Sequence, residues 1–342
     1  MTQARNPSFI LEITNRCNQN CAYCYNVWKS DSGYICGDLS PEKYIDILKK
    51  IITEGKPRIV TISGGEPMLN KNIFNIILYL KRKKIKTNLI TNGTLLATSD
   101  IKKFIKLKVK LFELPLLSSI PKIHDKITGF DGGWKKTISS MREIKKQRGN
   151  LAVVIVLTNE NIFDIKNTLE LSIAIGADSI LLNRANAGGK CSNNFDIMPN
   201  IPDLKMALDI ANKLAEEYEV PINIGVPIQP CIIDISKYPN LKFGYCQAGK
   251  KYPYYAVDPL GNLRPCNHSN IILGNLTDQP LADILKSPLL YDFETSYPEE
   301  CKNCIKLSEC RGGCKASAEV CFGSYKKMEP FLKNNWDGMI KR

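Results

Sequence analysis

The 342-residue chain has almost no histidine: His124 and His268 are the only two. It has no uncharged apolar run of 18 or more residues, which excludes a membrane-spanning helix. The segment from Met1 to Pro7 carries neither a long apolar stretch nor a small-residue cleavage site, so it does not read as a signal peptide. A cytoplasmic location is therefore expected, and disulfides are rare there. No solenoid-type repeat and no low-complexity tract is visible. An apolar fraction of 44% with 24% charged residues argues against a disordered chain.

Two things are present in excess. There are 13 cysteines, and 47 Lys plus Arg against 34 Asp plus Glu give a net charge of +13. Without disulfides the cysteines need another use, and metal binding leads. The charge is compatible with nucleic acid, an acidic substrate or an acidic protein partner. Lysines are spread along helical stretches such as 81–86 and 102–110, not gathered in a tail. No defined nucleic-acid-binding module is recognisable, which disfavours a nucleic-acid substrate.

The first 220 residues alternate strand and helix signals. Strands are expected at Phe9–Thr14, Arg58–Ser63, Lys86–Thr91, Lys108–Leu117, Leu151–Thr158 and Asp178–Asn183. The first helix is announced by Ser40 as N-cap and Pro41 in its first turn, with Tyr44, Leu48, Ile51 and Ile52 at helical spacing. Further helices are expected over 72–84, 99–106, 135–147, 162–175 and 203–219. Six βα units predict an α/β fold with a parallel sheet. A full eight-unit barrel typically takes about 250 residues, so six units fit a partial (β/α)6 TIM-like barrel or a doubly wound sheet. Either places the ligand site at the carboxyl ends of the strands. Composition changes near Pro221, and from residue 296 the chain is a loop-rich cysteine cluster. Two domains are expected, 1–220 and 221–342, the second small and cysteine-rich.

The first strand runs into Cys17-Asn-Gln-Asn-Cys21-Ala-Tyr-Cys24. Three thiolates within eight residues can wrap one small metal centre. A tetrahedral zinc would want a fourth ligand, and the nearest cysteine is Cys36. Three ligands leave one metal position open, as catalysis requires. The second strand ends in Ser63-Gly64-Gly65-Glu66-Pro67, and the third in Thr91-Asn92-Gly93-Thr94. Paired glycines at a strand end permit close backbone approach.

The C-x3-C-x2-C triplet, followed one βα unit later by GGEP, resembles the radical S-adenosylmethionine (radical SAM) superfamily. The resemblance implies that Cys17, Cys21 and Cys24 hold a 4Fe–4S cluster whose fourth iron binds S-adenosylmethionine. It implies reductive cleavage to a 5′-deoxyadenosyl radical that takes a hydrogen atom from substrate. It assigns Tyr23 to the adenine, the stretch Ser63, Gly64, Gly65, Glu66 and Pro67 to the methionine amino group, and Asn92 to the cofactor. One departure stands out. Relatives carry Ser-Leu-Asp-Gly at the fourth strand and a following Arg that together hold the cofactor carboxylate. Here the stretch reads Leu114-Pro-Leu-Leu-Ser118-Ser119, followed by His124-Asp125-Lys126. Ser118, Ser119 or Lys126 are the candidates to substitute.

Downstream come Cys246, then Gly261-Asn-Leu-Arg-Pro-Cys266, then Cys301, Cys304, Cys310, Cys314 and Cys321. This resembles the SPASM extension of radical SAM enzymes. That pattern implies two auxiliary 4Fe–4S clusters, one on Cys301, Cys304, Cys310 and Cys321, the other on Cys246, Cys266 and Cys314. Two such clusters need eight thiolates. Cys231 is the best eighth ligand, the alternative being an open iron that binds substrate. Cys36 and Cys191 are left over. Buried, inert thiols are the default, although Cys191, after the sixth strand and beside Gly188-Gly189, is a candidate hydrogen-atom donor.

The resemblance to peptide-maturing members makes a gene-encoded peptide the leading substrate, with cross-linking, dehydrogenation or epimerisation as its fate. A dehydrogenase or rearranging enzyme acting on a small molecule is the alternative. A non-catalytic iron–sulfur electron carrier would need neither GGEP nor the barrel. Only eight residues precede the first strand signal, so the leader-gripping module of many maturases has no place ahead of it. Leader binding would fall to a separate protein or to the enzyme's own surface. With deprotonated ligands the three clusters lower the net charge to about +8, a surface suited to an acidic flavodoxin- or ferredoxin-type reductant.

Overall fold

The computed structural model describes residues 7–29, 34, 36–193 and 195–334. Among them, one sheet runs through the chain. Its strands are β1 (Ser8–Glu12), β2 (Ile59–Ser63), β3 (Lys86–Ile90), β4 (Val109–Pro115), β5 (Leu151–Leu157), β6 (Ser179–Arg184), β7 (Ile222–Ile224), β8 (Leu241–Phe243), β9 (Tyr254–Val257), β10 (Asn262–Arg264) and β11 (Gly274–Asn275). The order is β11-β10-β9-β1-β2-β3-β4-β5-β6-β7-β8. Strands β1 to β8 are parallel to their neighbours, β9 is parallel to β1, and β10 and β11 are antiparallel.

Helices α1 (Pro41–Gly55), α2 (Ile73–Arg82), α3 (Thr98–Lys106), α4 (Pro121–Thr128), α5 (Gly133–Lys146), α6 (Ile165–Ala174) and α7 (Ile201–Glu217) connect the first strands. The six expected strands are consecutive in the sheet, which is the partial barrel. The sheet then continues past both of its edges. β7 and β8 extend it beyond β6, and the β9–β11 ribbon joins at β1. The strands therefore cross residue 220 without a break. The C-terminal helices are α8 (Leu281–Ile284), α9 (Pro288–Thr295), α10 (Leu307–Cys310), α11 (Lys315–Phe322) and α12 (Pro330–Asn334).

Local chemistry explains these elements. Ser40 Oγ accepts from Lys43 N–H at 3.4 Å and Pro41 occupies the first turn, so α1 begins capped. Tyr44, Ile47, Leu48 and Ile51 form its buried stripe. Tyr44 Oη then donates to the Ile13 carbonyl at 2.6 Å, tying α1 to the end of β1.

The strands are apolar on both faces because each face is covered. Phe9, Leu11, Leu89, Phe112, Leu114, Val153, Ile155, Ile180 and Leu182 pack under the helices. The alternating residues Ile10, Ile90, Glu113, Pro115, Val154, Val156, Leu181 and Asn183 face an interior cavity. Period two thus splits β1, β3, β4, β5 and β6 into a core face and a cavity face. No described helix is long and apolar enough to cross a membrane.

Candidate functional site

The cavity has a volume of about 360 Å³ and lies at the carboxyl ends of the parallel strands. Cys17, Cys21 and Cys24 stand on one wall with Tyr23, Ser63, Gly64, Gly65 and Asn92. These are the residues the sequence assigned to the cluster and cofactor, brought together from three strand ends.

The triplet loop is fixed from several sides. Asn20 N–H donates to the Thr128 carbonyl at 3.0 Å and Ala22 N–H to the Ile127 carbonyl at 2.8 Å, docking the loop on the end of α4. Gly65 N–H donates to the Thr14 carbonyl at 2.7 Å and Glu66 N–H to the Arg16 carbonyl at 2.8 Å. A Cβ on Gly64 or Gly65 would collide with those same carbonyls, and Gly64 has φ +137°. The close approach that the paired glycines permit is therefore loop against loop. Gly189, after β6, serves in the same way: a Cβ there would run into the Cys24 carbonyl.

Glu66 is fully buried and lies beneath the cavity wall. It accepts from Met68 N–H (3.0 Å), Thr91 Oγ1 (2.7 Å) and Asn92 N–H (2.8 Å), stapling the GGEP turn to the end of β3. Pro67 opens the short turn behind it. Asn92 Nδ2 donates to Asn18 Oδ1 at 2.9 Å, which joins β3 to the triplet loop.

The thiols fit an iron–sulfur centre. All three are half-buried and next to one another. Burial and the neighbouring Cys24 and Cys17 push the Cys21 thiol up to about 12. Three adjacent thiolates repel in this setting, and a cationic iron–sulfur core relieves that repulsion. Gln19 N–H already points at Cys17 Sγ from 3.4 Å.

Other expected residues lie elsewhere. Ser118 is fully buried off the cavity, with its Oγ donating to Asp164 Oδ2 at 2.5 Å. Ser119 donates to the same carboxylate through N–H and Oγ. Lys126 pairs with Glu160 at 2.9 Å on the surface. His124 Nδ1 accepts from Leu117 N–H at 3.2 Å, and burial holds this imidazole down to about 4, hence neutral. Cys191 is buried behind the triplet loop, with its Sγ on the Ala22 carbonyl at 3.2 Å.

The cavity contains residues that motif reading missed. Lys29, in the short turn Val27–Lys29 behind the triplet, lines it. Glu113, on β4, is the one acidic side chain among the described residues of its walls, and burial raises its carboxyl to about 7. A polar residue in an otherwise apolar strand was the available signal.

The opposite wall comes from the C-terminal part. Because β9 pairs with β1, Tyr254, Asn267 and His268 reach the cavity. Arg264 makes a buried ion pair with Glu12 of β1, locking this ribbon in place. The rings of Tyr25 and His268 stack with centroids 4.0 Å apart and planes at 14°. Asn186 Nδ2 lies 3.3 Å from both His268 Nδ1 and Cys314 Sγ. Cys266 neighbours Cys314 and Cys246. Around Cys301 the neighbouring thiols are Cys310, Cys304 and Cys231. Cys321 Sγ faces the Ser192 carbonyl at 3.8 Å.

Comparison with known proteins agrees with this geometry. The family model for the radical SAM superfamily matches residues 11–172, and the SPASM model, an iron–sulfur cluster-binding domain, matches residues 246–305. The chain is 24% identical over 336 residues to an AdoMet-dependent heme synthase of Methanosarcina barkeri, covering 94% of each chain. It is 24% identical over 330 residues to a PqqA peptide cyclase of Granulibacter bethesdensis, covering 94% of this chain and 85% of that one. Among solved structures, Streptococcus suis SuiB bound to precursor peptide SuiA superposes with a TM-score of 0.76 at 16% identity, over 95% of this chain and 76% of that one. The chain belongs to the radical SAM superfamily: it is an enzyme of S-adenosylmethionine and 4Fe–4S clusters whose C-terminal part carries a SPASM iron–sulfur domain.

Proposed function

We propose that this enzyme abstracts a hydrogen atom from a peptide and leaves it cross-linked, dehydrogenated or epimerised. The observation that carries the radical chemistry is the shared cavity: the Cys17–Cys24 loop forms one wall, and the segment bearing Cys266 forms the opposite wall. The peptide substrate is supported by the cyclase named for PqqA and by the fold shared with a structure bound to a precursor peptide.

In this reading Cys17, Cys21 and Cys24 hold the cluster at which S-adenosylmethionine binds. Bound together, cluster and cofactor supply hydrogen-atom abstraction; the protein supplies orientation and exclusion of water. Tyr23 covers the adenine, and Ser63, Gly64, Gly65 and Asn92 meet the methionine end. Glu66 and Pro67 act from behind by fixing that turn. With Ser118 and Ser119 committed to Asp164 and the cavity-lining Arg184 paired with Glu329, Lys29 meets the cofactor carboxylate. Cys246, Cys266, Cys301, Cys304, Cys310 and Cys314 hold the auxiliary clusters. A flavodoxin- or ferredoxin-type protein supplies the electron, and a separate protein or the enzyme's own surface holds any leader peptide.

A second reading has its own support. The heme synthase matches over 94% of both chains, which favours oxidation of a small molecule in the same cavity. The two readings part in one experiment. Reconstituted enzyme with dithionite and S-adenosylmethionine is expected to yield 5′-deoxyadenosine, and Cys24→Ala to abolish it. A precursor peptide encoded beside the gene is then expected to change mass under turnover. An unchanged peptide, with turnover of a haem precursor instead, would overturn the peptide reading and leave the radical chemistry standing.

A further inference from the structure

The family pattern gives the distal cluster Cys301, Cys304, Cys310 and Cys321. The structure arranges these thiols differently. Cys321 lies in the last turn of α11, and Cys314 caps the start of that helix. Seven residues at 1.5 Å rise separate them by about 10 Å along one rigid helix. That helix aims Cys321 back at the barrel. Its Sγ faces the Ser192 carbonyl, in the turn that also contains Cys191.

Cys231 neighbours Cys301 and Cys310. It sits in a turn in which Ile232 and Ile233 N–H both donate to the Gln229 carbonyl, at 2.9 and 3.1 Å. Ile232 and Ile233 are buried in the core and anchor that turn. Gln229 Nε2 donates to Glu329 Oε1, which also accepts from Cys314 N–H at 2.9 Å. The Gln229 side chain fills the space above Gly313, and Gly313 N–H donates to the Cys310 carbonyl at 3.1 Å. The Cys231 turn is thus clamped to the 310–314 segment. There Cys231 lies within charge-interaction range of Cys301, Cys304 and Cys310. A Cβ on Gly312 would stand 3.6 Å from Cys301 Sγ, so this turn wraps the same group.

We propose that Cys231, not Cys321, is the fourth thiolate beside Cys301, Cys304 and Cys310, and that Cys246, Cys266 and Cys314 alone hold the near cluster. Tyr254, which lines the cavity, neighbours all three of those thiols. This rests on the radical SAM/SPASM reading above, and iron counting separates the two. Wild-type protein reconstituted anaerobically is expected to hold about 12 Fe, four per cluster; about four would remove the two auxiliary clusters themselves.

Within that frame Cys321→Ala is expected to keep about 12 Fe and the wild-type EPR signals of the reduced clusters. Cys231→Ala leaves the distal set with three thiolates, and its low-temperature EPR signal is expected to shift or disappear. A second background isolates that cluster. The triple variant Cys246→Ala, Cys266→Ala, Cys314→Ala is expected to hold about 8 Fe. Adding Cys231→Ala should shift or remove the remaining auxiliary signal, and adding Cys321→Ala should leave it unchanged. A shifted or missing distal signal in Cys321→Ala, with the wild-type signal in Cys231→Ala, would overturn the assignment. So would a Cys231→Ala variant whose iron content and EPR signals both match wild type.

Discussion

At the scale of single residues, Glu113 is the side chain whose surroundings differ most from its chemistry. It faces the cavity from a largely apolar strand, and its carboxylate accepts from Asn88 Nδ2 at 3.4 Å. Burial raises its carboxyl to about 7 from an ordinary 4.5. A carboxylate with a raised folded-state value opposes folding wherever the unfolded chain is ionised. The cost is near zero below pH 4, grows between about 4.5 and 7, and is complete above 7. At 1.36 kcal/mol per unit it approaches about 3 kcal/mol. Glu113→Gln is therefore expected to raise the thermal midpoint at pH 8 and to leave it unchanged near pH 4. Midpoints measured across this range check it, and a difference independent of pH would refute the buried-carboxylate account.

At the scale of elements, the parts that local chemistry dictates were legible. Strands β1 to β6 announce themselves through β-branched runs bounded by turns, and α1 through Ser40 and Pro41. The cysteine triplet and Ser63–Pro67 were legible because their spacing is local. Strands β7 and β8 have three residues each, too few for any periodicity. The pairing of β9 with β1 joins residues about 245 apart in sequence, and no local signal marks it. Tyr254, Asn267 and His268 enter the cavity through that pairing, so they could not be read from spacing. Ser118 illustrates what strand order does not tell: it follows the expected strand end, and Asp164, from a distant turn, takes its hydroxyl. The loop-on-loop packing yields a prediction. In Gly65→Ala an added Cβ would sit 2.7 Å from the Arg16 carbonyl carbon, displacing the approach to Cys17. The variant is expected to keep its helical circular dichroism, lose about four Fe per chain and form no 5′-deoxyadenosine. Full iron with normal cleavage would show that the two loops can separate without cost to the site.

At the scale of the whole molecule, the sheet decides what can stand alone. Family resemblance suggests a barrel in 1–220 and an iron–sulfur domain after it. Yet β1 is an interior strand, flanked by β2 and β9, and β6 is covered by β7. Cutting at residue 220 would strip both neighbours at once. It would also leave Glu12 buried without Arg264, its ion-pair partner, and breaking a buried pair by removing one member costs about 3–5 kcal/mol. Two unpaired parallel edges would be exposed, the geometry that templates aggregation. Residues 1–220 expressed alone are therefore expected to be insoluble or to associate, even with Cys17, Cys21 and Cys24 intact. The full chain is expected to unfold in one transition that includes the β9–β11 ribbon. Light scattering and thermal unfolding of the two proteins, under anaerobic conditions, make the comparison. A monomeric 1–220 fragment that melts cooperatively and binds about four Fe would show that the barrel closes its own edges and that the C-terminal ribbon is an accessory to the fold.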